Sequence, residues 1–338
     1  MGSIVNHRDT NRSRVSNPLT DFFEHEDGPP LVSVVIPTHN RITKLVRLID
    51  SLLLSDYKNI EIIVVEDAPS SDYSEEAKSN FSTSVRFIKN SKELLLAGSR
   101  NVGILNSYGE LIFLIDDDNV VDKNTIRELV WGMARDVQAG VTGPVMYYLA
   151  DPTRVWCGRV RRDYLTSRTE FPDRGRVGIF GNDPIESDEF PNAFMIRKAI
   201  LSKVGLFDAD NFSIHYDEAD FCNRVRRTGF RVLLVPTAKV WHDTPLPNTR
   251  VGRTRRYSVH TAQRAFYASR NRVLFHRKYS TSGQFAFLAT FFLPVATLIY
   301  LGAIITDSGL HRGERLRNAK AYLRGTIEGL KLRSVPRK

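Results

Sequence analysis

The amino-acid sequence predicts an α/β protein with a mainly parallel sheet covered by helices. Three stretches rich in valine, isoleucine and leucine, at 31–37, 60–67 and 111–115, are typical of strands buried on both faces of such a sheet. Segments with apolar residues at helical spacing separate them, so strand and helix alternate from residue 31 to residue 115. This alternation indicates a doubly wound sheet, in which helices pack on both faces.

The elements follow one another in a simple order. The stretch LVSVVIP predicts a first strand that Pro37 ends. A helix should follow, because apolar residues recur at helical spacing at Leu45, Leu48, Ile49, Leu52 and Leu53. IEIIVVED and VRFIKN predict the second and third strands, AGSRNVGILNSYG predicts a helix, and ELIFLID predicts the fourth strand. A further helix is expected from about Thr125.

Composition and charge narrow the class of protein. A chain of 338 residues with 42% hydrophobic content can bury a large core. Its two cysteines, Cys157 and Cys222, make neither a disulfide framework nor a zinc site, which favours a reducing cytosolic setting. The net charge of +10 indicates an anionic partner. Residues 1–30 lack the apolar core of a signal peptide, and we expect them to form a disordered or loosely attached tail.

Three consecutive carboxylates follow the strand at 111–115. Asp116, Asp117 and Asp118 repel one another, and folding alone gives no reason to place them together. One interpretation is a cap for the helix near Thr125, since Asp accepts amide hydrogen bonds at helix starts. Capping explains one Asp or two. Three at the carboxyl end of a buried strand, where open α/β sheets bind ligands, favour a site for a hard cation.

Seven segments between Val32 and about His242 carry a family resemblance: VSVVIPTHNR, IEIIVVEDAPSSD, AGSRNVGI, GELIFLIDDDNVV, FPNAFMIRKAILSKVGLFD, HYDEADFCNRVRRTGFRV and AKVWHD. In this order they resemble the family 2 glycosyltransferases, which have the GT-A fold, a Rossmann-like mixed sheet flanked by helices. The resemblance covers roughly two thirds of the chain. It implies an enzyme that moves a sugar from a nucleotide diphosphate donor to an acceptor, usually with inversion at the anomeric carbon.

The resemblance implies a divalent cation, Mg²⁺ or Mn²⁺, at the acidic triplet. The family's DxD motif matches residues 116–118, so Asp116 and Asp118 are expected to face the metal and Asp117 to lie nearer the ribose. His242 follows a short strand, where some relatives complete the metal sphere with a histidine, although a lone His more often has a structural role. The ion would neutralise the charge on the departing diphosphate.

The resemblance also assigns a nucleotide site near the end of the first strand. Pro37, Thr38 and Arg41 match the residues that cradle the nucleotide. Asp67 matches the acid that accepts a hydrogen bond from the base, commonly uracil N3–H, although its setting in EDAPSSD also suits a turn. Arg100 begins the predicted helix, where it could meet a phosphate or lie on the surface. The expected donor is a UDP-, GDP- or dTDP-sugar.

An acidic pair before a helix supplies the family's general base, and here that pair is Asp217 and Glu218. Alignment on the following ADFCNR puts Glu218 at the base position, where many relatives carry Asp. The same acids could favour the positive N-terminus of their own helix, and both roles can hold at once. The resemblance places Trp156, whose ring could stack on a sugar face, and Asn192 among the acceptor-binding residues.

The chain changes character after residue 248. Residues 250–278 hold nine Lys and Arg residues, and residues 279–306 hold no charge. The apolar run exceeds the roughly 20 residues that cross a bilayer. FYASRNRVLFHRK resembles the family's YYxxRN segment, which often precedes membrane-associated helices. The basic residues could form a solvated helix, but beside an apolar run they favour contact with anionic lipid headgroups or with an acceptor diphosphate. The expected location is the cytoplasmic face of the membrane, with a lipid-linked or glycan acceptor.

Charge and a proline predict how this region meets the membrane. The flanks on both sides of residues 279–306 are strongly basic, and the positive-inside rule favours the cytosol for both. Pro294 divides the apolar run, so we expect a hairpin bent near Pro294. The segment NAKAYLRGTIEGLKL would return to the same surface as an amphipathic helix.

Two other functions stay open on the sequence alone. A nucleotidyltransferase would share the sheet and a metal ion held by carboxylates. PTHNRITK, however, lacks the glycines that the first loop of such an enzyme carries. The sequence also lacks a GxGxxG motif after the first strand and a P-loop motif. A non-catalytic relative that binds nucleotide or glycan should have lost the acids that this chain keeps. No nucleic-acid partner is expected, because the basic residues cluster beside an apolar run. The expected domains are the tail 1–30, a catalytic domain 31–248 and a membrane-associated region 249–338.

Overall fold

A computed structural model gives the architecture of the chain. It describes residues 28–68, 81, 84–177, 180–247 and 260–332. Most of the tail predicted at 1–30 lies outside the described residues. So do residues 248–259, which carry the first four arginines of the basic run.

The described elements are twelve strands and nine helices, besides a short 3-10 helix at Lys198–Ile200 and a π turn at Leu288–Phe292. The strands are β1 Val32–Thr38, β2 Ile60–Glu66, β3 Val85–Lys89, β4 Leu111–Ile115, β5 Asn119–Val121, β6 Ala139–Tyr148, β7 Asp151–Cys157, β8 Arg161–Arg162, β9 Thr169–Glu170, β10 Ile185–Glu186, β11 Ala193–Arg197 and β12 Arg231–His242. The helices are α1 Ile42–Leu53, α2 Leu95–Leu105, α3 Thr125–Ala134, α4 Leu201–Val204, α5 Asp217–Arg227, α6 Ala262–Tyr279, α7 Ser282–Phe287, α8 Leu293–Ile305 and α9 Arg312–Lys331.

Ten strands form one mixed sheet in the order β10-β12-β6-β11-β4-β1-β2-β3, with β5 paired to β12 and β7 paired to β6. β1 lies parallel to β2 and β4, β2 lies parallel to β3, and β12 lies parallel to β6. β11 runs antiparallel between β4 and β6. The predicted α/β architecture is confirmed, and the carboxyl ends of β1, β2 and β4 meet at one edge, where such sheets bind ligands.

The sheet separates two hydrophobic cores, because successive strand residues point to opposite faces. Val34 and Ile36 of β1 face the core that holds the buried side of α1. Val35 faces the opposite core, with Ile104 of α2. Gly103 lets α2 approach the sheet closely, since a methyl group there would overlap the side chain of Val35. Arg100, in the middle of α2, reaches Asp116 at the carboxyl end of β4.

The first strand runs one residue past the proline that was expected to end it. Thr38 is the last residue of β1, and its carbonyl accepts a hydrogen bond from the Asp67 amide at 2.9 Å. Backbone groups alternate along a strand, so the nitrogen of Pro37 faces the other side, towards β4. Pairing with β4 stops at Val35, and the missing N–H therefore costs no ladder bond.

The C-terminal helices pack against one another, and α6 also contacts α5 through Asp220. α9 lies along α6, and Gly325 and Gly329 of α9 come so close to Phe266 and Val273 of α6 that a methyl group at either glycine would overlap them. The Arg277 guanidinium on α6 donates to the carbonyl of Leu330 on α9 at 2.8 Å. α9 therefore turns back along α6. Its predicted return to the cytosolic surface of a membrane stays a prediction.

The predicted bend at Pro294 is wrong. Residues Ser282–Ile305 form one unbroken helical run of 24 residues, composed of α7, the π turn and α8. A π turn leaves slack in the hydrogen-bond ladder, and this one lies directly before Pro294 and accommodates the proline without a break. The chain reverses instead between α8 and α9. By length and composition this is the one described helix that could cross a membrane.

Candidate active site

The three acids follow β4, and the surrounding backbone holds them in place. The amide of Asp116 donates to the carbonyl of Asn192 at 2.9 Å, and the amide of Asp243 donates to the carbonyl of Asp118 at 2.9 Å. β5 separates the acids from α3, whose N-cap residue is Asn124. None of the three aspartates therefore caps α3, and the capping interpretation is wrong.

Asp117 lies in a buried pocket at the end of β1. Its carboxylate accepts a hydrogen bond from the Thr38 hydroxyl at 2.7 Å and pairs with the Arg41 guanidinium at 2.8 Å. Burial raises its pKa to about 7, although Arg41 and Thr38 oppose the shift. Thr38 and Arg41, two of the three residues predicted to cradle the nucleotide, therefore contact the acidic triplet. Nucleotide binding by Pro37, Thr38 and Arg41 stays a prediction.

Asp118 and His242 form the pair best suited to a metal ion. His242 Nε2 lies 3.5 Å from Asp118 Oδ1 and 3.0 Å from Asn192 Nδ2. Ligands bound to one Mg²⁺ at about 2.1 Å are about 3 Å apart, so this pair needs little movement to share an ion. Burial opposes the charge of Asp118, but His242 and Arg41 hold its pKa below the ordinary range. An ionised carboxylate beside an imidazole fits Mg²⁺ or Mn²⁺.

The three predicted ligands do not form a compact group. Among the described residues, the one set of three acidic or histidine side chains with donor atoms within 4.8 Å of one another is His39, Asp67 and Glu93. Asp116 Oδ1 accepts a hydrogen bond from Arg100 Nη2 at 2.9 Å. Asp118 and His242 thus lie close together, whereas Asp116 has a different partner. Metal binding by these three residues stays a prediction.

Arg100 is the centre of a buried charge network. It lies in the middle of α2 with no exposed surface, so the prediction of a helix start and the alternative of a surface position are both wrong. Its Nη1 contacts Asp217 at 2.7 Å and Glu218 at 2.9 Å, while Nη2 contacts Asp116. Burial alone would lower the pKa of Arg100, but the carboxylates raise it and keep the guanidinium charged. One cation thus joins the acidic triplet to the pair of Asp217 and Glu218.

The surroundings of Asp217 and Glu218 shift the pKa values of these two acids in opposite directions. Asp217 has no exposed side-chain surface, and both burial and the neighbouring Glu218 charge raise its pKa well above the ordinary range. The Glu218 side chain is 15% exposed, and although burial works against its charge, Arg100 and a hydrogen bond from Asp217 lower its pKa. The opposite directions of these shifts favour Glu218 as the carboxylate that could accept a proton. Both acids lie in the first turn of α5, as the helix interpretation predicted.

Asp67 has a role that neither interpretation of its turn foresaw. Its carboxylate accepts hydrogen bonds from the amides of Leu94 and Leu95 at 2.8 and 2.7 Å and from Asn90 Nδ2 at 2.8 Å. These bonds hold the entry to α2, where Leu95 has a positive φ of 60°. A carboxylate has about four acceptor positions, so three are engaged. Binding of the base at Asp67 stays a prediction.

Trp156 lies against the proposed metal pair. Its ring packs edge-on against His242 with centroids 4.3 Å apart, and Asn192 contacts the same imidazole. Both predicted acceptor-binding residues therefore meet at His242, on the side of the site formed by β7 and β11. Their role in acceptor binding stays a prediction.

Comparisons with known proteins identify the family of this chain. Residues 33–205 match the family described as glycosyl transferase family 2. Glycosyltransferase GlyG of Streptococcus pneumoniae is 36% identical over 102 residues, which cover 29% of this chain and 34% of GlyG. The probable glycosyltransferase YdaM of Bacillus subtilis is 25% identical over 300 residues, which cover 82% of this chain and 65% of YdaM.

A solved structure supports the fold. The crystal structure of GalNAc-T7 with UDP, GalNAc and Mn²⁺ superposes with a TM-score of 0.54 at 16% identity, over 76% of this chain and 53% of that one. The chain spans 28%, 16% and 34% of the lengths of three curated relatives. The family match extends over more than half of the chain. This chain has the GT-A fold and belongs to glycosyl transferase family 2.

Proposed function

We propose that this chain is a metal-dependent, inverting glycosyltransferase. It would move a hexosyl or deoxyhexosyl group from a nucleotide-diphosphate sugar to a hydroxyl of a lipid-linked or glycan acceptor at the cytosolic face of the membrane. The observation that carries the proposal is the Arg100 network, because one buried guanidinium connects Asp116 with the pair Asp217 and Glu218. Asp116, on the side of the donor, and the pair Asp217 and Glu218, on the side of the acceptor, are then held together by one arginine.

The donor would lie across the carboxyl ends of β1, β2 and β4. Thr38, Arg41 and Asp117 form a linked polar group there, and Arg41 is 40% exposed and can turn towards a phosphate. A bound Mg²⁺ or Mn²⁺ on Asp118 and His242 would neutralise the diphosphate and act as a Lewis acid. GalNAc-T7, which shares the fold, holds UDP and Mn²⁺ in its crystal structure, which supports the same class of donor here.

The chemical step would be a single displacement at the anomeric carbon. The acceptor hydroxyl loses its proton to the Glu218 carboxylate, and its oxygen forms the new bond to the anomeric carbon. The bond from that carbon to the diphosphate oxygen breaks, and the electron pair leaves with the diphosphate. Glu218 suits the base because it is ionised and partly exposed, whereas Asp217 is buried and protonated.

A donor panel tests the proposed activity. UDP-, GDP- and dTDP-sugars are incubated with the full chain and Mn²⁺ or Mg²⁺, and release of the nucleoside diphosphate is measured with water as the acceptor. We expect release from one nucleotide class, an increase in melting temperature with that nucleotide and metal, and loss of both in EDTA. Full release in EDTA, or no binding by any member of the panel, would refute the proposal.

An exposed apolar surface supports membrane association. The run Ser282–Ile305 carries no charge and is mostly exposed. α9 adds apolar side chains at helical spacing on its exposed side: Leu316, Leu323, Ile327 and Leu330. Basic residues of α9 lie beside this stripe, an arrangement typical of helices that lie in the interface of an anionic bilayer. We therefore propose that α7, α8 and α9 rest on the cytosolic surface of the membrane.

Cysteine labelling tests on which side α9 lies. In Arg317→Cys an exposed thiol replaces a side chain of α9 that lies off the apolar stripe, so it stays in water when the stripe rests on the membrane. The native Cys157 and Cys222 are buried and should not react. In sealed vesicles of known orientation, an impermeant reagent should label Arg317→Cys on the same side as Leu54→Cys, an exposed site on the catalytic domain. Labelling on opposite sides would mean that residues 282–305 span the bilayer.

A further inference from the structure

We propose that Asn271 of α6 is a positioning residue for the general base. It would act through the loop in front of α5, residues 211–216, which it holds by its side-chain amide. The inference rests on the proposed function, because it takes Glu218 as the base. It assigns an active-site task to a helix that the sequence had associated with the membrane alone.

Asn271 holds the main chain directly before the acid pair. Its side chain is fully buried, and its Nδ2 donates to the carbonyl of Ile214 at 2.9 Å and to the carbonyl of His215 at 3.1 Å. The orientation of the amide is fixed from the other end, since Arg270 Nη1 donates to Asn271 Oδ1 at 3.0 Å. With Oδ1 engaged by a cation, the two N–H groups must face the loop.

The loop needs such a hold because its backbone is in an unfavourable conformation. His215 and Tyr216 have φ values of 64° and 65°, in the left-handed region that favours glycine. Consecutive non-glycine residues in this region persist only where the surrounding structure imposes the conformation. Asp217 follows at once and begins α5, so any relaxation of the loop would move Glu218 relative to Arg100.

The same helix also holds α5 directly, through Asp220 in its first turn. Lys278 Nζ and the Tyr279 hydroxyl donate to Asp220 at 2.8 and 2.6 Å, and all three residues are buried. These contacts hold α5 against α6 whether or not Asn271 is present. Loss of the Asn271 amide should therefore relax the loop and displace the residues that directly follow it, Asp217 and Glu218, without releasing the helix.

A small displacement of a general base has a large kinetic effect. Proton transfer requires hydrogen-bond distance to the acceptor hydroxyl, and a misplacement of about 1 Å can cost about a hundredfold in rate. Nucleotide binding is expected to be unaffected, because Thr38, Arg41 and Asp118 lie on the other side of the Arg100 network. The predicted signature is thus a change in kcat with an unchanged KM for the donor.

The test compares Asn271→Ala and the isosteric Asn271→Asp with wild type. Nucleotide release from the UDP-, GDP- and dTDP-sugar panel is followed for kcat and KM, and melting is followed with each nucleoside diphosphate and Mn²⁺. We expect kcat to fall by about tenfold to a hundredfold, with donor KM and the nucleotide-dependent melting shift unchanged. Ser269→Ala is the matched control on α6: its hydroxyl donates to Phe266 within the helix and does not reach the loop.

A second measurement separates positioning from general damage. In the background Glu218→Gln, Asn271→Ala should cause no further loss of kcat, because the base it positions is already gone. Equal losses in both backgrounds, or a normal kcat for folded Asn271→Asp, would overturn the inference. If Asn271→Ala does not fold, Asn271→Asp carries the same comparison. Normal kcat for Glu218→Gln itself would instead refute the assignment of the base on which the inference rests.

Discussion

Asp118→Ala should abolish sugar transfer and remove the metal dependence of nucleotide binding. Asp118 is the acid of the triplet that faces His242, and the surroundings of its carboxylate keep it ionised. A divalent ion contributes several kcal/mol of charge stabilisation in such reactions, so the loss of its anchor should lower kcat about a thousandfold or more. The measurements are nucleotide release at saturating Mn²⁺ and the melting shift caused by nucleoside diphosphate with and without Mn²⁺.

A neighbouring acid provides the control for Asp118→Ala. Asp122 lies four residues further along, and its carboxylate accepts a hydrogen bond from the Asn124 amide at 2.9 Å, away from His242. Asp122→Asn should therefore keep its activity and its response to metal. Normal turnover by Asp118→Ala, or full wild-type activity in EDTA, would show that the acidic triplet is not the metal site.

The fold could be predicted because its signals are local. Apolar runs such as those of β1, β2 and β4 identify buried strands, and their alternation with helical segments identifies the sheet. The three aspartates were likewise visible, since adjacent carboxylates after a buried strand are costly unless something binds them. The strand end was misjudged by one residue, because the cost of Pro37 depends on which neighbour its nitrogen faces.

The parts that sequence reasoning missed depend on distant contacts. Arg100 was expected at a surface or a phosphate, yet it lies between acids that are 16 and 117 residues away in the chain. The turn of Asp67 contacts the start of α2, 27 residues further on. The sequence AGSRN shows Arg100 but does not show which acids the arginine contacts in the fold. A buried arginine needs several carboxylates, and that requirement was the available signal.

The C-terminal region shows the same limit. Its apolar run could be read directly, but the effect of Pro294 depended on a π turn that composition does not reveal. The segment FYASRNRV was associated with membrane helices through its resemblance, whereas its Asn271 contacts the loop before the acid pair. α6 thus joins an apolar surface to the active-site scaffold. The boundary expected at residue 248 therefore divides two parts of the chain that contact each other, α6 on one side and residues 214–220 on the other.

Glu218→Gln should keep donor affinity and lose most of the turnover. The substitution preserves the shape of the side chain and removes only the negative charge that accepts the acceptor proton. General-base catalysis contributes about a hundredfold or more, so kcat should fall by at least that factor while the donor KM stays unchanged. The measurement is nucleotide release with water as the acceptor, together with the melting shift caused by nucleoside diphosphate and Mn²⁺.

Asp217→Asn is the matched control, because the two acids differ in protonation. Burial and Glu218 raise the pKa of Asp217 well above the ordinary range, so an amide should replace this carboxyl group with little change in charge. Its hydrogen bond with Arg100 at 2.7 Å is the contact at risk, which should cost stability more than rate. If Asp217→Asn is inactive while Glu218→Gln turns over normally, the base is Asp217 and the division of roles within the pair is reversed. If both keep full activity, the acceptor is activated by a group outside this network, and the Arg100 cluster is a structural feature of the fold.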